Sequence, residues 1–273
     1  MKKDFEQIRR RPIGVFDSGI GGLTVVRELF GQLPNEEIVY FGDTARVPYG
    51  TKSEETVQKF ALQDAQFLVE QSVKLIVVAC NTVSSNSLDL LHRHIDLPIE
   101  GVIEPGAHAA VDATRSGRVG IIGTDSTIFS RAYEKAMKAI DKKIQIFARS
   151  CPLFVPLAEE GWTDDPVTAQ VAERYLSPLR SCRIDTLVLG CTHYPLLKKM
   201  IQKTMGNGVT LIDSASATAA CVKEILEREK LSRDLSSLPE HHFFVTDMPR
   251  RFLEIGERFL ANPLSNVVRV NSF

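Results

Sequence analysis

The run Lys74-Leu75-Ile76-Val77-Val78-Ala79-Cys80-Asn81-Thr82 is echoed 111 positions later by Asp185-Thr186-Leu187-Val188-Leu189-Gly190-Cys191-Thr192-His193. Each copy is a continuous apolar run ending in a small residue, a cysteine and then hydrogen-bonding side chains. A short run that is apolar at every position reads as a strand buried on both faces of a parallel sheet. The cysteine then stands at the carboxyl end of its strand, the edge where open α/β sheets bind ligands. Two such elements can place sulfur on both sides of one small molecule. That suits a reaction in which a proton leaves one face and arrives on the other.

Strand and helix alternate around this echo. Ile13–Phe16, Glu37–Phe41, the Cys80 run and Ile99–Ile103 read as strands of a first unit. Val119–Ile122, Ile144–Ala148, the Cys191 run and Val209–Ile212 read as those of a second, which begins near Gly106. Helices are expected over 23–32, from Ser53 onward, to about His92, and over 130–140, 168–179, 217–227 and 250–260. Ser53 can cap its helix, with Glu54 and Glu55 in the first turn. Cys151–Pro156 reads as a loop and Phe243–Val245 as a further strand. Such alternation predicts parallel sheets with right-handed crossovers. The expected fold is α/β: two similar three-layer domains related by pseudo-symmetry, with the active site in the cleft between them. Residues 1–106 with a returning segment 216–273 form the first domain, and 107–215 the second.

The 273 residues carry a formal charge of -1 with no basic stripe, so nucleic acid and anionic membranes are poor partners. The apolar runs are too short to cross a bilayer. Met1 to Pro12 is mostly charged and lacks the hydrophobic core of a signal peptide. It reads as an exposed, mobile extension that gives no functional clue. Five cysteines without a close-spaced framework point to reduced thiols in a cytosol.

A lone cysteine after an apolar strand is usually packing. Packing gives no reason, however, for the polar followers to recur with the sulfur. Cys80 and Cys191 are therefore the candidate acid/base thiols; Cys151, Cys182 and Cys221 lack that setting. A free thiol near pKa 8.5 is a few per cent thiolate at pH 7, and reaching the thiolate costs about 2 kcal/mol. A turnover of order 10 per second allows a barrier of only about 16 kcal/mol. Proton abstraction from carbon thus needs an activated base and a stabilised carbanion. Candidate activators are His193, whose alternative reading is a buried structural histidine, and Asp17 at the tip of the first strand. Strand alternation points residues 191 and 193 to one side only if the strand runs that far.

Other chemistries fit less well. Gly19-Ile20-Gly21 is followed by Thr24 where the dinucleotide fingerprint needs glycine, and there is no Walker loop. No Cys-x2-Cys pair exists, and Cys191-x-His193 alone is weak for zinc. No cofactor or metal is expected. The loop from Asp17 to Gly22 reads either as a helix-start anion cradle or as a plain tight turn.

Four ordered motifs carry a resemblance: Phe16-Asp17-Ser18-Gly19-Ile20-Gly21-Gly22-Leu23-Thr24, Gly42-Asp43-Thr44-Ala45-Arg46-Val47-Pro48-Tyr49-Gly50, Ala79-Cys80-Asn81-Thr82 and Gly190-Cys191-Thr192-His193-Tyr194-Pro195-Leu196. Over about Ile13 to Leu260 the chain resembles the bacterial glutamate racemases. The resemblance implies a cofactor-independent enzyme that interconverts L- and D-glutamate and feeds D-glutamate to peptidoglycan. It also implies a cytoplasmic protein and, since members often self-associate, a homodimer. Cys80 would take the proton from D-glutamate and Cys191 from L-glutamate, assisted by Asp17 and His193. A further glutamate falls at Glu159, favoured over the adjacent Glu160. Implied substrate-holding positions are Asp17, Ser18, Tyr49, Gly50, Asn81, Thr82, Thr192 and His193. Thr124 and Thr127 join them because they lie on the second-domain loop facing the cleft. Departures are small: Val47 stands where many relatives have cysteine, and Val83-Ser84-Ser85 replaces an Ala-rich stretch. The nearest rival is an aspartate or hydantoin racemase of the same fold, against which Tyr49-Gly50 and Asn81-Thr82 argue. A rival from another class is a cleft-closing protein that binds an amino acid without changing it.

Overall fold

In the computed structural model, which describes residues 2–234 and 238–271, the strands assemble into two parallel sheets. The first-sheet strands are β1 (Ile13–Asp17), β2 (Ile38–Gly42), β3 (Leu75–Val78) and β4 (Ile99–Gly101). The second sheet is built from β5 (Arg118–Gly123), β6 (Gln145–Ser150), β7 (Thr186–Gly190) and β8 (Thr210–Asp213). Two late strands, β9 (His242–Val245) and β10 (Val267–Arg269), return to the first sheet, giving the order β10-β9-β2-β1-β3-β4 beside β6-β5-β7-β8.

The echoed runs hold equivalent places. β3 pairs with β1 (Ile13↔Leu75 to Phe16↔Val78), and β7 pairs with β5 (Val119↔Thr186 to Gly123↔Gly190). Every residue of β1, β2, β3 and β7 is buried, which is why these runs have no polar alternation. The outer strand β6 is half-buried to exposed and carries polar residues accordingly. β3 stops at Val78, and Cys80 caps the short helix Asn81–Asn86; β7 stops at Gly190, one residue before Cys191. Each thiol therefore sits just past the carboxyl edge of its strand.

Several expectations need correction. The N-terminal extension is a helix, Lys2–Arg10, and its end is docked: Ile8 packs on the core, and Arg9 Nε donates to Ser232 O at 2.8 Å. Arg9 also pairs with Asp234 at 2.7 Å. The charge-rich composition hid one apolar position and a partner more than 200 residues away; Met1 lies outside the described residues. A helix runs over Ile103–Ala113, where a strand and a break were expected. Pro105 falls in its first turn, where no backbone N–H is needed. The same reason turns the expected loop at Cys151–Pro156 into the helix Phe154–Glu159, with Pro156 in its first turn. The expected helix over 130–140 is two, Asp125–Ser130 and Ala132–Ile140, broken at Arg131, whose φ is +56°. β10 was not expected: it is only three residues long, and its side chains are half-buried to exposed.

Candidate active site

The carboxyl edges of the two sheets face one small cavity of about 60 Å³. From the first half come Ser18 and Gly19, the segment Val47-Pro48-Tyr49-Gly50, and Cys80-Asn81-Thr82. From the second come Thr124, Val155, Glu159 and Cys191-Thr192-His193. Both thiols are buried and free.

Cys80 Sγ donates to Ser18 Oγ at 3.6 Å. Burial pushes its pKa up to about 12, and the Asp17 and Cys191 charges push the same way, while the Val83 N–H and Ser18 oppose. Cys80 is therefore a protonated thiol. Cys191 differs: its Sγ lies 3.8 Å from His193 Nδ1, although β7 has ended and strand alternation plays no part. The other ring nitrogen, Nε2, lies 3.0 Å from Glu159 Oε1. Burial alone would lower the His193 pKa, but Cys191 and Glu159 outweigh it and raise it to about 10. Glu159 is held below the usual carboxylate range, chiefly by its hydrogen bond to His193. Glu160 instead faces Arg251 at 3.8 Å on the surface, so the geometry pairs Glu159 with the histidine.

Asp17 and Thr127 stand one layer behind the cavity. Asp17 is fully buried, accepts from Gly19 N at Oδ2 (3.0 Å), and has no partner at Oδ1 among the described residues. Burial raises its pKa, with His193 and the Gly19 and Gly22 N–H groups opposing. Thr82, Thr124 and Thr127 form a hydroxyl triangle across the halves, with edges of 3.0, 3.0 and 3.4 Å. Tyr49 lines the cavity, but its hydroxyl is committed to Asp43 and Asp64. Arg46 completes that network, reaching Asp64 at 2.8 Å as well as Asp43, and so anchors the Tyr49-Gly50 turn. The glycine loop has a packing reason. A Cβ on Gly21 would lie 2.1 Å from Thr192 Oγ1 and 2.6 Å from His193 Nδ1, so glycine lets the loop lie against the residues after Cys191.

Residues 13–222 match the model of the Asp/Glu/Hydantoin racemase family. The chain belongs to that family. The glutamate racemase of Geobacter metallireducens is 55% identical over 261 residues, covering 96% of this chain and 97% of the relative. A crystal structure of a Bacillus anthracis glutamate racemase isoform superposes with a TM-score of 0.93 at 41% identity, covering 96% of this chain and 98% of that one. The Francisella tularensis glutamate racemase, solved in complex with D-glutamate, gives 0.90 at 42% identity over the same shares.

Several cavity residues were not among the site residues expected from the sequence. Val47, Pro48 and Val155 supply apolar wall, and Val155 sits on the helix that was read as a loop. The motif through Pro48 was visible; nothing in the sequence marked Val155. The C-terminal helix Pro249–Leu260 also reaches the site. Phe259 packs edge-on to His193 with ring centroids 5.2 Å apart, and Arg258 Nη1 donates to Glu159 O at 3.3 Å. No helix among the described residues is long and apolar enough to cross a membrane.

Proposed function

We propose that this protein interconverts L- and D-glutamate without a cofactor, using Cys80 and Cys191 as opposed acid/base thiols, and so supplies D-glutamate for peptidoglycan. The observation that carries the reading is the unlike setting of the two sulfurs in one cavity. Cys191 faces a histidine whose pKa is raised to about 10 and whose far nitrogen meets Glu159. Cys80 is a thiol with a proton to give. From L-glutamate, Cys191 takes the Cα proton: the C–H bond breaks, an S–H bond forms, and the pair remains on a flattened carbanion. The Cys80 S–H then delivers its proton to the other face.

The reverse direction needs Cys80 as base. From a pKa of about 12, ionising it at pH 7 costs roughly 7 kcal/mol, too large a share of the barrier. The substrate ammonium, entering beside Cys80 and the Asp17 layer, lowers that cost by charge. Asn81, Thr82, Thr124, Thr192 and the Tyr49-Gly50 turn supply donors for the two carboxylates. Glu159 and His193 assist Cys191; Asp17 assists Cys80.

The relatives' names and the complex with D-glutamate support glutamate as substrate. The pairing of β9 onto β2 supports a C-terminal segment that returns to the first domain. A cytoplasmic homodimer completes the proposal. The test is to incubate pure protein with L-glutamate in deuterated water, adding no cofactor, and to follow circular dichroism and Cα deuteration. Loss of dichroism with deuterium in the product is expected. No change in either signal would sink the reading and favour binding without chemistry.

A further inference from the structure

Two hydrogen bonds cross between the halves in a reciprocal pattern. Thr24, on the helix Leu23–Gln32 that follows β1, donates from Oγ1 to Thr192 O at 3.1 Å. Tyr133, on the second helix after β5, donates from its hydroxyl to Asn81 Oδ1 at 2.8 Å. β1 and β5 occupy equivalent places in their sheets. Each half thus braces the residue that follows the other half's cysteine.

The braces hold different groups. Thr24 fixes a main-chain carbonyl, whereas Tyr133 fixes a side-chain amide that could otherwise turn over. Tyr133 itself has little room to move: a Cβ on Gly106 would lie 3.1 Å from its ring, and one on Gly190 would lie 3.2 Å from it. With Oδ1 taken by a phenolic donor, the Asn81 amide must present Nδ2 elsewhere. Asn81 is buried and lines the cavity, and its Nδ2 has no partner among the described residues. Leaving such a donor unmet is unfavourable, and a ligand acceptor relieves it.

We propose that Tyr133 is a positioning residue for racemisation: its hydroxyl sets the Asn81 amide so that Nδ2 donates to a carboxylate oxygen of bound glutamate. The inference rests on glutamate being the substrate. With oxygen and nitrogen exchanged, Asn81 would set a carbonyl against that carboxylate. Among the described residues, no other contact fixes the orientation of the Asn81 amide.

The experiment is a double-mutant cycle on kcat/KM for L-glutamate, using wild type, Tyr133→Phe, Asn81→Ala and the double variant, with a melting curve for each. Tyr133→Phe should lose about tenfold, mainly through KM, the size expected for one hydrogen bond to a charged group. In the Asn81→Ala background the same change should alter kcat/KM by less than about twofold, because the amide it orients is gone. Asn81→Asp keeps the acceptor for Tyr133 but loses the donor; it should racemise as poorly as Asn81→Ala. Equal losses in both backgrounds, a fully active Tyr133→Phe, or a fully active Asn81→Asp would each overturn the inference. A wild-type protein that leaves glutamate unchanged would show that the substrate reading had failed first.

Discussion

Glu159 Oε1 lies 3.0 Å from His193 Nε2, and the other nitrogen of that ring faces Cys191 Sγ at 3.8 Å. An imidazole between a carboxylate and a thiol is stabilised when both nitrogens carry protons. That arrangement overrides the burial that would otherwise favour the neutral ring.

Replacing Glu159 with Gln removes the charge but keeps an acceptor. The His193 pKa should fall from about 10 toward its ordinary value near 6.5. The alkaline limb of the pH–activity profile should move down with it, and kcat/KM at pH 8 should fall by about 10- to 100-fold. The profile and the His193 ring resonances against pH check this; an unmoved alkaline limb would remove Glu159 from the relay.

The same shift governs stability. Because the folded-state pKa is raised, the His193 contribution is fully present below about pH 6.5 and is lost as pH rises through about 10. Glu159 has the opposite sign: its folded pKa is lowered, so its contribution is present above the ordinary carboxylate range and fades in acid. Urea denaturation across this range should show stability declining from neutral pH toward 10, with a weaker decline in Glu159→Gln.

Cys80→Ser and Cys191→Ser should each lower racemisation by about 10²- to 10⁴-fold, the range for losing a positioned acid or base. Melting temperatures should barely change, since serine nearly matches cysteine in volume. Wild-type rates in either variant, measured by dichroism, would contradict the two-thiol proposal.

Arg46 holds together two fully buried carboxylates. It pairs with Asp43 and Asp64, and its guanidinium lies 4.1 Å over the Phe60 ring. Burial, followed by the nearby Asp43 charge, already pushes the Asp64 pKa well up. Arg46→Met should therefore destabilise by about 3–5 kcal/mol, the range for stripping one partner from a buried pair. It should also raise KM, because Tyr49 leans on the same carboxylates. A denaturant midpoint unchanged from wild type would show that the network contributes little.

The strands β1, β3, β5 and β7 were legible because a strand buried on both faces writes itself as an unbroken apolar run. The two cysteines were legible for the same reason: the duplicated run ends on them. Hydrogen-bonding residues next to the sulfurs, Asn81, Thr82, Thr192 and His193, came with that local pattern, and all line the cavity. The helix bearing Glu159 was hidden because Pro156 looks like a breaker unless its first-turn position is known. The sequence by itself determined which strands are buried and where the thiols emerge, since both follow from neighbouring residues. Only the tertiary structure decided that Glu159 rather than Glu160 meets His193, that Asp17 lies behind the cavity, and that Tyr133 reaches Asn81. Those pairings join residues 34 and 52 positions apart across separate elements, and their charge and hydrogen-bond state exists only once the chain has brought them together.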